Sequence, residues 1–239
     1  MADPASPRTR QESQRLTREA LILAARAVFA RDGYHGANLD LIAREAGFSK
    51  GAVYSNFEGK ATLFLAVMDA NLDAALAAGA WDLFERSDDP DGPQGGPTAN
   101  AEVVEAIRGF ALASLEFIAT AARDERLAAE LGERMTRLTD AYAAIAEQSR
   151  PADEELTATE VGALLTALDQ GATLLTLSGS AALDQRVTRA GMQRLLDPSR
   201  AGTPTDDEAA GGQPLHDPVV QRRIAAALGE GFPADERHP

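Results

Sequence analysis

The side chains best suited to bind a partner lie together in residues 49–60, which read Ser-Lys-Gly-Ala-Val-Tyr-Ser-Asn-Phe-Glu-Gly-Lys. The stretch contains Lys50 and Lys60, the only two lysines among the 239 residues. Ammonium, hydroxyl and amide groups donate hydrogen bonds to phosphate oxygens, and small residues between them allow close approach to a groove. The chemistry that these residues predict is therefore the recognition of a polyanion.

The net charge of the whole chain opposes this interpretation, but the distribution of charge favours it. The formal net charge is −14, yet residues 1–60 carry nine Lys and Arg against seven Asp and Glu, a net of +2. Residues 61–239 carry the remaining net charge of −16. A mildly basic N-terminal part suits a protein that offers only that face to nucleic acid. On charge alone, acidity that serves only solubility is an equal alternative.

Residues that could support catalysis or bind a metal are scarce or scattered. The chain has no cysteine, and its three histidines, His35, His216 and His238, have no metal-ligand spacing. Neither a Gly-rich phosphate loop nor the patterns G-x-S-x-G and H-E-x-x-H occur. The sequence therefore predicts that the protein is not an enzyme and that it uses no metal and no cofactor.

The composition favours an all-α protein. Alanine and arginine, both strong helix formers, are abundant, while aromatic residues make up only 5% of the chain. No segment approaches the roughly 20 consecutive apolar residues of a membrane span. The N-terminus also lacks the apolar segment of a secretory signal. We expect a cytoplasmic protein that has no membrane partner.

Three short helices are predicted to position the 49–60 stretch. The first runs from about residue 16 to 31, and Gly33 ends it because glycine adopts the left-handed conformation at little cost. Asn38 is predicted to cap the second helix, with Asp40 in its first turn. The third helix begins after a tight turn.

The turn and the third helix complete a helix-turn-helix pattern. Gly47 supplies the turn, and Phe48 is expected to fill the core beside it. Ser49 is predicted to cap the third helix, from which Val53 and Phe57 point inward. In such a motif the second of the two helices lies in the major groove of DNA.

The outward residues of the third helix fit that position. Gly51 and Ala52 leave room for the groove, and Lys50 can reach a base edge or a phosphate. Tyr54 and Asn56 can donate hydrogen bonds to phosphate oxygens, contacts that set the register of the protein on DNA. Lys60, at the start of a fourth helix, is predicted to be a second phosphate anchor.

Residues 18 to about 68 resemble the N-terminal domain of TetR-family transcriptional regulators. The matching phrases are Ala-Ala-Arg-Ala-Val-Phe-Ala-Arg-Asp-Gly-Tyr (24–34), Leu-Asp-Leu-Ile-Ala-Arg-Glu-Ala-Gly-Phe-Ser-Lys-Gly-Ala-Val-Tyr-Ser-Asn-Phe (39–57), and Gly-Lys (59–60) leading to Leu-Phe (63–64). The resemblance implies that the positions of Lys50, Gly51 and Ala52 face bases. It also implies that those of Tyr54, Asn56 and Lys60 contact phosphates.

The chain departs from the family pattern at two positions. Gly59 stands where a Ser or Thr cap is usual. Asp40 carries a negative charge near the groove, which disfavours a contact with a phosphate. The full set of predicted DNA-binding residues is Asn38, Ser49, Lys50, Gly51, Ala52, Tyr54, Ser55, Asn56 and Lys60. Outside a helix-turn-helix, Tyr54 would be an ordinary half-buried aromatic residue and the two lysines ordinary solvated charges.

The rest of the chain is predicted to form a helical body. Helical patterning continues from residue 60 to about 84 and resumes over 101–123, 127–148 (with a break conceivable at Gly132), 157–178 and 183–196. Residues 86–100 are rich in Pro, Gly and Asp and predict a loop. The predicted organisation is a disordered arm (1–14), a DNA-binding domain (15–68, with the helix-turn-helix at about 38–57), a regulatory and dimerisation domain (69–197) and a tail (198–239).

The resemblance implies that the last two helices of the body form a four-helix dimer interface. The segment 161–175 is apolar around most of its circumference, so it must be buried by its own core or by a partner. Its small residues Gly162, Gly171 and Ala172 allow close helix packing. The candidate residues of a ligand pocket are Trp81, Phe110, Phe117, Met135 and Tyr142. For each of them alone, an ordinary core position is the favoured interpretation.

These expectations combine into one functional hypothesis. The protein is predicted to be a homodimeric repressor that binds a palindromic operator in double-stranded DNA and is released by a small-molecule effector. One alternative is a constitutive or architectural helix-turn-helix protein without an effector. Another is a helical module that binds a protein partner.

Overall fold

The computed structural model describes residues 10–77, 97–151, 154–180 and 185–199, and these form eight α-helices and no strand. The helices are α1 (Arg10–Gly36), α2 (Leu39–Glu45), α3 (Lys50–Asn56), α4 (Lys60–Ala77), α5 (Pro97–Ala121), α6 (Glu125–Ser149), α7 (Ala158–Leu177) and α8 (Gln185–Leu196). The predicted all-α class is confirmed. No helix in the described residues is long and apolar enough to cross a bilayer.

Helix α1 begins earlier than the sequence predicted. Residues 10–14 are helical, so the disordered arm predicted over 1–14 is wrong for that part; residues 1–9 lie outside the described residues. Strong helix formers and an ion pair of 2.7 Å between Arg15 and Glu19, one turn apart, support the additional turns. Helical geometry is interrupted at Gly33 (φ 73°, ψ 175°), where the sequence predicted the end of the helix.

The larger core joins the N-terminal helices to the body through Phe64 of α4. Its ring lies 4.9 Å from the ring of Phe29 and 5.3 Å from that of Tyr34, both on α1. On α5, the rings of Phe110 and Phe117 lie 5.3 and 4.7 Å from it. The aromatic rings therefore fasten α1, α4 and α5 to one another.

Helix α5 differs from the prediction in its start and in its buried face. It begins at Pro97, inside the predicted loop 86–100, because proline is well tolerated in the first turn of a helix. Helical spacing within 101–123 predicts one apolar face made of Val104, Ile107, Ala111, Leu115 and Ile118. In the structure Ile107 is buried as predicted, but the fully buried residues include Ala113 and Phe117, and Val104 is 37% exposed. Two close contacts determine which face of α5 is buried. Gly109 packs against the backbone of α1, and Phe117 packs against Phe64 of α4.

The C-terminal helices form a second core. Helix α6 runs through Gly132 without the break considered from the sequence, and Asp124 caps it by accepting the backbone N–H of Leu127. Helix α7 begins with a capping box between Thr157 and Glu160. The buried residues between α6, α7 and α8 are Tyr142, Ala146, Val161, Leu165, Met192 and Leu196.

Two predicted helix ends fall partly outside the described residues. The fourth helix was expected to reach about residue 84; α4 is described to Ala77, and residues 78–96 lie outside. The last predicted helix was expected from about residue 183, and α8 is described from Gln185. The tail after residue 199 also lies outside the described residues.

Candidate nucleic-acid interface

Helices α2 and α3 are joined by a tight turn at Gly47, as the sequence predicted. Gly47 has φ 76°, in the left-handed region, and the N–H of the next residue, Phe48, donates to the carbonyl oxygen of Ala43 at 2.8 Å. Asn38 caps α2 by accepting the backbone N–H of Asp40 at 2.8 Å. These local hydrogen bonds fix the angle between the two helices, and with it the position of every side chain on α3.

Phe48 is a correction to the sequence analysis. It was expected to fill the core beside the turn, yet it is 39% exposed. Ile42 of α2, with Val53 and Phe57 at α3, fills that space instead, and all three are at most 2% exposed. The turn geometry places residue 48 outside the bundle, so an aromatic residue at this position adds little to the core.

Ser49 occupies the predicted N-cap position of α3 but makes no capping hydrogen bond through its side chain. Its backbone is extended (φ −80°, ψ 157°), which is the usual N-cap geometry. The side chain is exposed, as is the neighbouring Gly51, where a Cβ would meet only the Ser49 hydroxyl, at 3.6 Å. The start of α3 is therefore open to close approach by a partner.

The outward face of α3 carries most of the predicted DNA-binding residues. Lys50, Tyr54 and Ser55 are exposed, Tyr54 by 53%. Ala52 is half-buried, and its carbonyl oxygen accepts the Ser55 hydroxyl at 3.0 Å and the Asn56 amide at 2.8 Å. Asn56 is thus engaged within α3, whereas the Tyr54 side chain is exposed to solvent.

Arg18 of α1 anchors the end of α3, a role that the sequence analysis missed. Its guanidinium donates to the carbonyl oxygen of Asn56 at 2.9 Å and lies 4.3 Å from the centre of the Phe57 ring. A cation near the last carbonyl groups of a helix is favourable, and so is a guanidinium over an aromatic face. No local pattern signals this contact, because the partners are 38 residues apart in sequence.

Lys60 is partly buried and already makes hydrogen bonds within the domain, in addition to its predicted role as a phosphate contact. Its ammonium donates to the carbonyl oxygens of His35 (3.1 Å) and Ala37 (3.2 Å) and lies 4.9 Å from the centre of the Tyr34 ring. Partial burial lowers the pKa of Lys60, which the charge of Glu116 opposes. The side chain therefore ties the start of α4 to the connection between α1 and α2, and one of its three N–H groups is left for a partner.

Lys50 is paired with a carboxylate from the other helix of the motif. Its ammonium lies 2.8 Å from one Asp40 oxygen and 3.0 Å from the other. The hydrogen bond with Asp40, followed by its charge, raises the pKa of Lys50. Both side chains are more than half exposed, so the pair lies on the outer surface of the motif.

The predicted ligand-pocket residues do not come together. Phe110 and Phe117 belong to the first core and Tyr142 to the second, Met135 is half-buried on α6, and Trp81 lies outside the described residues. Burial, then the charge and hydrogen bond of Asp169, raise the pKa of Tyr142 well above its usual value. An open groove of about 510 Å³ lies instead between α4 and α6, lined by Leu76, Arg137, Asp140, Ala141, Ala144, Ile145 and Gln148.

Polar contacts connect the body to the DNA-facing helices. Glu116 of α5 accepts the backbone N–H of His35 at 2.9 Å, at the end of α1. Arg134 of α6 binds Asp69 of α4 at 2.8 Å, and Arg137 binds the same carboxylate at 2.7 Å. In the structure these side chains hold helices together.

Two short helices across a tight turn, backed by α1 and presenting the polar face of α3, define a helix-turn-helix DNA-binding domain. Residues 21–67 match the family model of bacterial regulatory proteins, tetR family. The resemblance of this segment to TetR-family transcriptional regulators, predicted from the sequence, is therefore confirmed.

Two curated relatives agree with this assignment. The HTH-type transcriptional activator FasR of Mycolicibacterium smegmatis is 45% identical over 56 residues, which is 23% of this chain and 26% of that protein. The HTH-type transcriptional regulator SrpR of Pseudomonas putida is 48% identical over 52 residues, 22% of this chain and 24% of that protein. The chain spans about a quarter of the length of these relatives, and both are named as regulators of transcription rather than enzymes.

The fold is also similar to that of a solved structure beyond this matched segment. A solved TetR-family transcriptional regulator from Rhodococcus sp. superimposes with a TM-score of 0.51 at 21% identity. The alignment covers 76% of this chain and 95% of that one. An N-terminal helix-turn-helix domain followed by a helical C-terminal domain is therefore the architecture of this protein.

Proposed function

We propose that this protein is a homodimeric transcriptional repressor that acts in the cytoplasm, binds a palindromic operator, and is released by a small-molecule effector. The observation that carries the DNA-binding part is the exposed polar face of α3 beside a turn of helix-turn-helix geometry. Lys50, Gly51 and Ala52 face base edges in this proposal. Tyr54 donates to a phosphate, and Ser55 does so by giving up the hydrogen bond of its hydroxyl to the Ala52 carbonyl oxygen.

The other predicted contact residues act at the edges of the interface. The exposed Asn38 and Ser49 stand at the starts of α2 and α3, where backbone N–H groups favour a phosphate. Asn56 and Lys60 already donate to carbonyl oxygens of the domain. We propose that these two position the interface and that Lys60 also offers its remaining N–H to a phosphate.

The dimer is supported by apolar side chains that are exposed in the described part of the chain. Leu164 (43%) and Leu174 (53%) of α7 and Val187 (40%) of α8 are exposed. A Cβ added at Gly171 would meet no atom within 4 Å, so a partner helix has room to approach. Gly162, in contrast, packs inside the chain against the backbone of α6. A solution mass of one chain at micromolar concentration would contradict the dimer.

The effector response is supported by the connections from the body to the DNA-facing helices. Phe64 and Asp69, both on α4, are held by α5 and α6, and Glu116 holds the end of α1. A ligand that prefers one arrangement of the body would change the separation of the two α3 helices in the dimer. Operator affinity would then fall without any change at the base contacts.

The alternatives differ in measurable ways. A constitutive DNA-binding protein would keep its full operator affinity across a broad panel of small molecules. A helical module that binds a protein partner would show no salt-dependent binding to any duplex.

Replacing Tyr54 with alanine should weaken binding to every DNA sequence by about fivefold, the value of one hydrogen bond of roughly 1 kcal/mol. A phosphate contact carries no sequence information, so specific and random duplexes should lose equally. Fluorescence anisotropy with both duplexes measures the effect.

Tyr54→Phe is the matched control, since it retains the ring and removes only the hydroxyl group. It should reproduce most of the loss. The thermal unfolding midpoint should not change in either variant, because the side chain is 53% exposed. Unchanged DNA affinity in Tyr54→Ala would remove this residue from the interface.

A further inference from the structure

The ion pair between Asp40 and Lys50 joins the two helices of the motif on the face proposed to meet DNA. Asp40 lies in the first turn of α2, and Lys50 is the first residue of α3. The ammonium is within 3.0 Å of both carboxylate oxygens.

This pair contributes little to folding stability. The two side chains are 57% and 52% exposed, and ion pairs at such positions are screened by water and salt. The turn between the helices is already fixed by backbone hydrogen bonds and by the buried Ile42 and Val53. The main effect of the ion pair is therefore on the net charge of the motif surface that is proposed to meet DNA.

That charge changes how the motif meets a phosphate backbone. A lysine that neutralises a phosphate releases a condensed counterion, which is the source of affinity for arbitrary DNA. Lys50 is already neutralised by Asp40, and the carboxylate itself repels phosphates. To use Lys50, a DNA site must offer an acceptor good enough to replace the carboxylate, such as the O6 and N7 atoms of guanine, which accept two hydrogen bonds.

We infer that Asp40 is a specificity-determining residue, which withholds Lys50 from the phosphates of arbitrary DNA and releases it to a base edge in the operator. The inference rests on the proposed function, because it assumes that α3 enters the major groove. Asp40 lowers the affinity for random DNA more than the affinity for the operator. It thereby raises the ratio between the two.

The test is Asp40→Asn, which preserves the shape of the side chain and removes its charge. The cap of α2 stays intact, because Asn38 accepts the backbone N–H of residue 40 and not its side chain. Binding of the full chain to a random-sequence duplex and to its selected operator is measured between 50 and 200 mM salt. One additional phosphate contact steepens the slope of log K against log salt by about 0.9, a change of roughly 3.5-fold over this range.

We expect Asp40→Asn to bind the random duplex at least threefold more tightly, with the steeper slope, and to bind the operator with a smaller gain. Asp73→Asn is the control for net charge, since Asp73 is an exposed carboxylate of the body that also pairs with a basic side chain. Lys50→Met is the second background, in which Asp40→Asn should change the slope less, because only the repulsion between the carboxylate and the phosphates is removed.

Three results would overturn the inference. They are unchanged or weaker binding of Asp40→Asn to the random duplex, an equal gain in Asp73→Asn, and the same change of slope in the Lys50→Met background. If neither the wild type nor Asp40→Asn binds any duplex at 50 mM salt, the proposed function itself is wrong, and the inference fails with it.

Discussion

Replacing Phe64 with alanine should lower the free energy of unfolding by about 3–5 kcal/mol, the usual cost of removing a buried phenylalanine. The residue is 0% exposed, and its ring contacts four other aromatic rings, from α1 and α5. Edge-to-face and stacked pairs add to the effect of burial alone. A loss of this size is a large part of the roughly 5–15 kcal/mol that stabilises an ordinary domain.

Phe48→Ala is the matched control for this substitution. The same atoms are removed, but Phe48 is 39% exposed and lies outside the core. The expected cost is therefore under about 1 kcal/mol, as for surface substitutions in general. Urea titration followed by circular dichroism measures both variants. Equal losses in the two would show that Phe48 is a core residue after all, as the sequence suggested.

Gly109→Ala should destabilise the protein by about 1–3 kcal/mol, because a close-packed site has no room for an added methyl group. A Cβ at this position would overlap the carbonyl oxygen of Ala30 and lie 2.8 Å from its carbonyl carbon. The obstacle is helix backbone, so α5 must move away from α1. Because α1 supports the helix-turn-helix and α5 belongs to the body, we expect this variant also to alter DNA affinity.

Gly132→Ala is the same chemical change, but it is expected to raise the stability of the protein rather than lower it. Gly132 is also inside a helix, but a Cβ there would meet nothing within 4 Å. Alanine is the better helix former, so the variant should be more stable by about 0.5–1 kcal/mol. Thermal unfolding of the two variants side by side checks the pair. Stabilisation by Gly109→Ala would contradict the close packing of α1 on α5.

Features with local causes were predictable from the sequence. Asn38 caps α2 through its own neighbouring backbone, and Gly33 and Gly47 adopt positive φ where the chain must turn. The face of α3 follows from helical spacing alone, which correctly placed Val53 inside. Each of these depends on residues within a few positions of one another.

Features with distant causes were not predictable. Arg18 and Lys60 find their hydrogen-bond partners 38 and 25 residues away, so their spacing gives no sign of those contacts. Phe48 was expected in the core because it is apolar. Hydrophobicity, however, carries no information about the direction in which the turn points a side chain. The buried face of α5 depends on where Gly109 meets α1, which only the packed structure defines.

The separation of the described pocket candidates was not predictable for the same reason. Aromatic residues at helical spacing predict burial, and Phe117 and Tyr142 are indeed buried. Their assignment to two separate cores depends on how α5, α6 and α7 pack together. The pattern therefore distinguished interior from surface, but not core from pocket.

Selection of bound sequences from a random pool of duplex DNA tests the central claim most directly. The account predicts a palindromic sequence whose half-sites are spaced by about 34–36 Å or a multiple of it, since a two-fold dimer presents two α3 helices to one face of DNA. Repeating the selection with Lys50→Ala should relax the preference at one position in each half-site. Recovery of no enriched sequence, or of one that has no two-fold symmetry, would contradict the account.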